Sequence, residues 1–476
     1  MILLAALIVI ALTELAARIF EHRTLQNTQV STDPGSDYRM GSVAKYARMI
    51  GVAAICLLVL VAVFARAPAA VAMILVVAFG IYRLALTLLY QAASTASRTS
   101  RLAHILKQPG FDRAPLALFF SAVDLQQPDH VNAWADELDS VGLPWFVVVA
   151  ERHHLTYLRQ RGQHKAVFLP DLPIGAQLLP GSIKALLYVN NAQKNRVMIS
   201  TLQNLLHVQL LHGDSDKPPS YSPLTKNYDR VFVAGQMAID RYARNNVAIP
   251  KHKFRIVGRP QVAAIKTATT TADATLPQIV YMPTWRGFFD DTQFSSLDRA
   301  DQILETILSR PEPVNVIFKP HPLSYKDPDW ADFKTRIEKV FSTARPNGAK
   351  GQVSPDDLSP FNLYNQADLL ICDISSVMID FLYADKPFLT VLPADFLDAD
   401  QPNFPSLEAS YQVQSNLDDL TAQLDAALAD DSLRDKRKRV RADAFGDLDQ
   451  PPGAAFHAAC RELISDGQSH EGPNHE

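Results

Sequence analysis

A chain of 476 residues with 47% apolar content has room for two or three domains, each able to bury its own core. Its formal net charge of −4 lacks the basic excess of a nucleic-acid binder, so no nucleic-acid partner is expected. Cys56, Cys372 and Cys460 are odd in number and far apart, which offers neither a disulfide framework nor a zinc site and points to a reducing compartment.

The chain opens on apolar sequence. Met1 to Thr13 is followed by Glu14 and Arg18, whose i, i+4 spacing lets them pair on one helix face. Without a basic leader it is a poor signal peptide, and it reads as a first membrane helix or else an interfacial one. Met49 to Ala65 is uncharged, and after Arg66-Ala67-Pro68 a further run from Ala69 to Tyr90 has Arg83 as its only charge, a pattern that predicts a membrane hairpin. Arg23, Arg39, Lys45 and Arg48 precede the hairpin and Arg98, Arg101, Lys107 and Arg113 follow it, against Arg66 alone at its tip. By the positive-inside rule the N-terminus is outside and everything after Tyr90 is cytoplasmic. The expectation is a multi-pass anchor over residues 1–92, with two or three transmembrane helices in the cell membrane.

From Leu116 apolar runs alternate with helical spacing. Strands are predicted at Leu116–Phe120, Trp145–Val149, Lys165–Leu169, Ala185–Val189, Val208–Leu211, Arg230–Val233 and Phe254–Val257, which is βαβ patterning and a parallel sheet. Thr267 to Thr275 has no periodicity and reads as a linker. A second series follows at Ile279–Met282, Val314–Phe318, Leu369–Cys372 and Phe388–Leu392. Two Rossmann-like domains facing a cleft are therefore expected, over residues 110–266 and 276–466. The second ends in helices: Leu417, Leu420, Leu424 and Leu428 share one helix side, Arg434 to Arg441 reads as a solvated face able to touch anionic lipid, and Ala454 to Ile464 is again helical. A polar, disordered tail is expected over 467–476.

Four clusters fall at strand ends, where open α/β sheets place their sites. From Ala367 to Leu382 a strand passes through Asp373 into Ser375 and Ser376 and then into helical spacing at Val377, Phe381 and Ala384. Such a helix start offers free backbone N–H groups, two hydroxyls and a positive dipole end to a phosphate, or the serines could simply cap the helix. His212, with Gly213, Asp214, Ser215, Asp216 and Lys217 after it, is the candidate in its loop for taking a proton near neutral pH, a structural histidine being the alternative. His207 on the same strand should face the other way. In Pro283-Thr284-Trp285-Arg286, Arg286 could pair with a phosphate while Trp285 packs. In Lys319-Pro320-His321-Pro322 the prolines hold two protonatable groups beyond a strand.

In this order the clusters resemble the CDP-glycerol glycerophosphotransferase family, which includes the poly(glycerol phosphate) polymerases of teichoic acid synthesis, over roughly Leu206 to Leu392. The Ser-Ser-Val-Met-x-Asp stretch ending at Asp380 is the most specific part. The resemblance implies a GT-B fold with the donor nucleotide held mainly by the second domain. It implies His212 as the base for the acceptor hydroxyl, His321 with Ser375 and Ser376 as the pyrophosphate site, and Asp380 at the donor pocket, with Thr284 and Arg286 in the matching turn; Gly213, Asp214, Ser215 and Lys319, in the same loops, are further candidates for substrate binding. Two departures stand out. The family continues its His-Gly with Thr-Pro where this chain has Asp214-Ser215-Asp216, and its arginine after Gly-x-Pro is Gln261 here, with Arg259 before the proline.

The expected activity is transfer of glycerol phosphate, or a related polyol phosphate, from a CDP-activated donor to a hydroxyl of a lipid-linked acceptor, releasing CMP. No carboxylate cluster asks for a metal, and no cofactor is expected. The alternative enzyme is a GT-B glycosyltransferase using a UDP-sugar; the alternative outside catalysis is a membrane scaffold that retains the fold, which the survival of His212, His321 and both serines disfavours.

Overall fold

The computed structural model describes residues 99–469 apart from 124–127, 161, 163–164, 170, 268–275, 288–293 and 357, together with scattered positions between 77 and 96. The segments read as membrane helices lie almost wholly outside the described residues, as do the linker beyond Thr267 and the end of the polar tail. Among the described residues no helix is long and apolar enough to cross a membrane.

The first run of elements is β1 (Leu116–Phe120), α1 (Asp129–Ser140), β2 (Trp145–Val149), α2 (Arg152–Gln160), β3 (Ala166–Phe168), α3 (Leu172–Ala176), β4 (Ala185–Tyr188) and α4 (Asn195–Thr201). It continues with β5 (Leu206–Gln209), β6 (Arg230–Val233), α5 (Gln236–Arg244) and β7 (Phe254–Ile256). The second run is β8 (Gln278–Met282), α6 (Ala300–Leu308), β9 (Asn315–Phe318), α7 (Trp330–Ser342), β10 (Lys350–Val353), α8 (Pro360–Gln366), β11 (Leu369–Asp373), α9 (Ser376–Leu382), β12 (Phe388–Val391) and β13 (Tyr411–Val413). Three helices close the chain: α10 (Leu420–Ala429), α11 (Arg434–Phe445) and α12 (Ala454–Ser469).

Two compact units contain these elements. One comprises Met1–Pro128, Pro144–Ile183 and Ala192–Gln203, the other Asp129–Leu143, Lys184–Asn191 and Asn204–Glu476. In the first, β3, β2 and β1 are neighbours in that order and run parallel, with Leu116 opposite Trp145 and Val147 opposite Ala166. In the second, β4-β5-β6-β7 are parallel neighbours, and a six-stranded parallel sheet has the order β10-β9-β8-β11-β12-β13.

Parallel strands cannot be joined by a tight hairpin, so helices cross over between them and cover the sheet faces, which explains why the strands are apolar without alternation. β1, β2 and β11 are buried at every position. Alternate side chains of the β8–β11 pair enter separate cores: Val280, Met282, Leu370 and Cys372 pack with Met378 and Phe381 of α9, while Ile279, Tyr281, Leu369 and Ile371 pack with Ile303 and Ile307 of α6. Gly235, before α5, allows α11 to approach to backbone contact, because a Cβ there would lie 2.2 Å from the Asp443 carbonyl oxygen.

The parallel two-series α/β pattern read from the sequence is borne out, with differences at its margins. β10 and β13 were not predicted: β10 is a largely exposed edge strand of sequence Lys-Gly-Gln-Val, and β13 has only three residues. β5 ends at Gln209, two residues early, because Leu211 takes the left-handed conformation at φ 54°. α9 stops at Leu382, short of Ala384, and α12 runs on to Ser469 through residues expected to be tail. The charged run in α11 is solvated at Arg434, Lys436, Lys438 and Arg439, but Arg437 is fully buried and bonded to Asp431.

Candidate functional site

All the residues that follow belong to the second unit. In its six-stranded sheet the chain winds outward from β8 through β9 to β10, then returns to place β11 on the other side of β8. That reversal opens a crevice beyond the carboxyl ends of β8 and β11, the usual ligand position in such sheets. Thr284 follows β8 and Asp373 ends β11; the Thr284 N–H donates to Asp373 Oδ2 at 2.7 Å, and the Ser296 N–H adds a second bond at 3.2 Å. Burial pushes the Asp373 carboxyl up to about 6. Its Oδ1 has no partner among the described residues.

Ser375 precedes α9 with an extended backbone, and its side chain makes no capping bond. The residue is 7% exposed, yet its Oγ has no hydrogen-bond partner among the described residues. A buried hydroxyl that caps nothing carries a desolvation cost, which a ligand accepting its proton would relieve. Ser376 is the first helical residue and is half-buried.

The His212 loop reaches this helix start. A Cβ added at Gly213 would lie 3.7 Å from Ser376 Cβ, so glycine leaves a one-methyl gap between the two segments. Leu211 sets up the approach: its left-handed backbone turns the chain after β5, with its N–H bonded to Gln209 Oε1 at 2.9 Å and its carbonyl to Trp134 of α1. A leucine held in that conformation is strained, and here the strain aims the next side chain. The His212 Nδ1 bonds to the Val189 carbonyl oxygen at 2.8 Å, and its ring stacks on His130 at 3.4 Å between centroids. The residue keeps an exposed surface, while crowding by surrounding protein holds its pKa below the ordinary histidine value. His207, by contrast, is buried and bonded to the Tyr188 hydroxyl at 2.8 Å, a structural histidine.

Other predicted site residues have protein partners of their own. Asp214 pairs with the buried Arg241, which also bonds Asp216 at 2.9 Å. The second oxygen of Asp216 accepts from Ser406. Ser215 Oγ lies 3.1 Å from Ser220 Oγ inside the same loop. Arg286 is held by Asp327, at 2.7 Å through Nε, and by Asp329. Lys319 Nζ donates to the Pro355 and Asp356 carbonyls at 2.8 and 2.9 Å. Asp380 is bound in a two-point pair by Arg259, the arginine displaced relative to the family pattern. Gln261, which takes the family arginine's place, donates to the Ala133 carbonyl at 2.9 Å.

His321 does remain directed by its prolines. Its Nδ1 accepts the Leu323 N–H at 3.1 Å, so the ring proton is on Nε2. Burial, with the nearby Lys217 charge, lowers its pKa to about 4. It is thus a neutral N–H donor near pH 7, rather than the cation that two basic groups after β9 would suggest.

The cation of this site is Lys217, which the sequence reading quoted but did not select. Its Nζ lies 3.4 Å from Thr284 Oγ1 and 5.1 Å from the centroid of the Phe294 ring. The available signal was its place: it closes the His212 loop, ahead of Pro218 and Pro219, which fix where it points.

Residues 184–398 match the family profile of CDP-glycerol:poly(glycerophosphate) glycerophosphotransferases. This stretch is a glycerophosphotransferase-family sequence. The match runs from β4 to beyond β12, takes in the His212, Thr284, His321 and Ser375 segments, and bears out the resemblance carried by those motifs. The matched stretch is thus that of a phosphotransferase family. Comparison with curated protein sequences gives no match. Among solved structures, a protein assigned as a UDP-N-acetylglucosamine 2-epimerase from Listeria monocytogenes aligns with a TM-score of 0.51 at 12% identity, covering 76% of this chain and 98% of its own. MurG from Acinetobacter baumannii gives 0.49 at 13% identity over 74% and 99%. The wall teichoic acid polymerase TagF gives 0.47 at 12% identity over 82% and 98%. At these identities the first of them supports the GT-B-like fold alone.

Proposed function

We propose that this glycerophosphotransferase-like enzyme moves glycerol phosphate, or a related polyol phosphate, from a CDP-activated donor to a hydroxyl of a lipid-linked acceptor in cell-wall polymer synthesis. The observation that carries the reading is that His212, its Nδ1 bonded to the Val189 carbonyl, sits in a loop whose next residue, Gly213, approaches the Ser375–Ser376 helix start, which brings a base into the neighbourhood of phosphate-binding donors. In the step itself, Nε2 takes the proton of the acceptor hydroxyl as its oxygen attacks the β-phosphorus in line. A new P–O bond forms, the bond to the bridging oxygen breaks, and CMP leaves with that oxygen and its electron pair. The Nε2–H of His321, the Ser375 hydroxyl and the first N–H groups of α9 offset the charge that develops. The proposal assigns acceptor binding to residues 110–266 and donor binding to 276–466. Residues 1–92 then act as the membrane anchor, which their apolar runs and basic flanks favour.

The test is turnover of the full chain with CDP-glycerol, CDP-ribitol and UDP-sugars, reading CMP, UMP and UDP separately. CMP release from a CDP-polyol, dependent on His212, is expected. Release of UDP or UMP from a UDP-sugar, with none of CMP, would overturn the reading in favour of a glycosyltransferase.

A further inference from the structure

We propose that Lys217 is the cation that holds the diphosphate of the activated donor, reaching its phosphate oxygens from the His212 loop. This rests on the donor reading above and adds a residue to it.

Lys217 carries a charge that no carboxylate among the described residues pairs. Lys217 is half-buried, and its ammonium has three N–H donors, of which one reaches Thr284 Oγ1. No carboxylate lies within ion-pairing distance of it among the described residues, whereas the neighbouring Arg241, Arg259 and Arg286 all have theirs. Removing an ammonium from water without a counter-ion is costly, and proteins tolerate it where a ligand supplies the anion.

The groups facing Lys217 define that anion. From the segment after β8 come the Thr284 hydroxyl and the Phe294 ring. From the end of β9 comes His321, neutral and presenting Nε2–H, and from the end of β11 comes Asp373, which attracts the ammonium from beyond pairing distance while bonded to the Thr284 and Ser296 N–H groups. Asp216, next to Lys217 in the chain, is held by Arg241 and Ser406. Apart from Asp373, whose carboxyl burial pushes towards its neutral form, these partners are donors or neutral. Two residues beyond Asp373 stands the buried hydroxyl of Ser375, which has no partner among the described residues. One cation, one imidazole N–H and one hydroxyl from three different strand ends fit an extended polyanion better than a single carboxylate.

Burial lowers the Lys217 pKa to about 8 in the free protein. A bound anion favours the charged form and raises it, so affinity is full below that value and falls as pH rises through it. Calorimetric titration of the full chain with inorganic pyrophosphate and, separately, CDP-glycerol from pH ~6 to ~10 tests this. Wild type should lose affinity for both above pH ~8, although pyrophosphate itself gains charge over that range. Lys217→Met should weaken both on the order of 10- to 100-fold and abolish the alkaline fall, and Lys217→Arg should restore affinity and move the fall beyond the range. Since Lys217→Met removes a half-buried charge with no carboxylate in pairing range, it should unfold at no lower temperature than wild type; should it fail to fold, Lys217→Arg and the wild-type profile still decide. Unchanged affinity in Lys217→Met, or an alkaline fall that persists in it or in Lys217→Arg, overturns the proposal. Lys217-dependent binding of pyrophosphate without binding of CDP-glycerol upholds it and overturns the donor reading instead.

Discussion

The Nδ1 of His212 and the carbonyl oxygen of Val189 are 2.8 Å apart, and since a carbonyl only accepts, the ring proton sits on Nδ1 and leaves Nε2 bare. The bond does for His212 what a carboxylate does in many catalytic pairs: it chooses the tautomer and the ring orientation, but without adding a negative charge that would raise the pKa. Desolvation, the largest influence on the ring, acts in the opposite direction and keeps it neutral.

His212→Ala should therefore lower transfer by roughly 10²- to 10⁴-fold while donor affinity stays near that of wild type. The acid limb of kcat/KM should also lie below the ordinary histidine value of 6.5, since the free base persists to lower pH when the pKa is lowered. Steady-state rates across pH, with donor binding measured alongside, check both. Activity within a few-fold of wild type, or an acid limb above that value, removes His212 from the mechanism.

The parts of this molecule legible in its sequence are those whose physics is local. β1, β2 and β6 have the predicted bounds because a continuous apolar run between polar turns can satisfy itself only inside a parallel sheet. β10 escaped because an exposed edge strand has no apolar face to display, and its pairing comes from β9 alone. The site divides in the same way. That His212, Thr284, His321 and Ser375 fall at strand ends follows from the alternation itself. That Arg286 and Lys319 are already engaged does not, since Asp327, Asp329 and the Pro355 carbonyl meet them only through the folding of later segments. Lys217 is hidden for the converse reason: that no carboxylate among the described residues comes within ion-pairing distance of it is a property of three dimensions.

Arg241 holds both acids of the His212 loop, and it is 1% exposed. Replacing it by methionine would leave Asp214 and Asp216 without their cation in a buried setting, where breaking a pair from one side costs on the order of 3–5 kcal/mol. Arg241→Met should lower the urea midpoint accordingly, and loosen the loop that carries His212 and Lys217. A change below ~0.5 kcal/mol would mean the pair contributes as little as a surface ion pair.

His321 gives a pH dependence of stability with a definite sign. Its folded-state pKa of about 4 lies below the ordinary 6.5, so between these values the unfolded chain binds more protons than the native one. Stability is then present above 6.5 and is lost as pH falls towards 4. His321→Gln, which keeps an N–H donor but does not titrate, should lose less stability than wild type between pH ~7 and ~5 in urea titrations. Parallel losses in the two proteins would show that His321 is not held neutral by its surroundings.

The helix start separates stability from binding most cleanly, because its serines are not used as caps. Ser375 Oγ is buried, bonds nothing among the described residues, and leaves the α9 N–H groups uncapped by any side chain. Ser375→Ala should consequently leave unfolding stability unchanged or raise it by up to ~1 kcal/mol, where loss of a true cap would lower it by about that much. The same change should weaken donor affinity by about 0.5–1.5 kcal/mol, the worth of one hydrogen bond. Ser376 is the first helical residue, a position that accepts proline, so Ser376→Pro should fold while losing a backbone N–H; it should bind donor more weakly than Ser376→Ala, which keeps that N–H. Urea denaturation and calorimetric titration with CDP-glycerol on the three variants measure the two effects independently. A drop in stability with unchanged affinity in Ser375→Ala, together with equal affinities in Ser376→Ala and Ser376→Pro, would place the phosphate site away from α9.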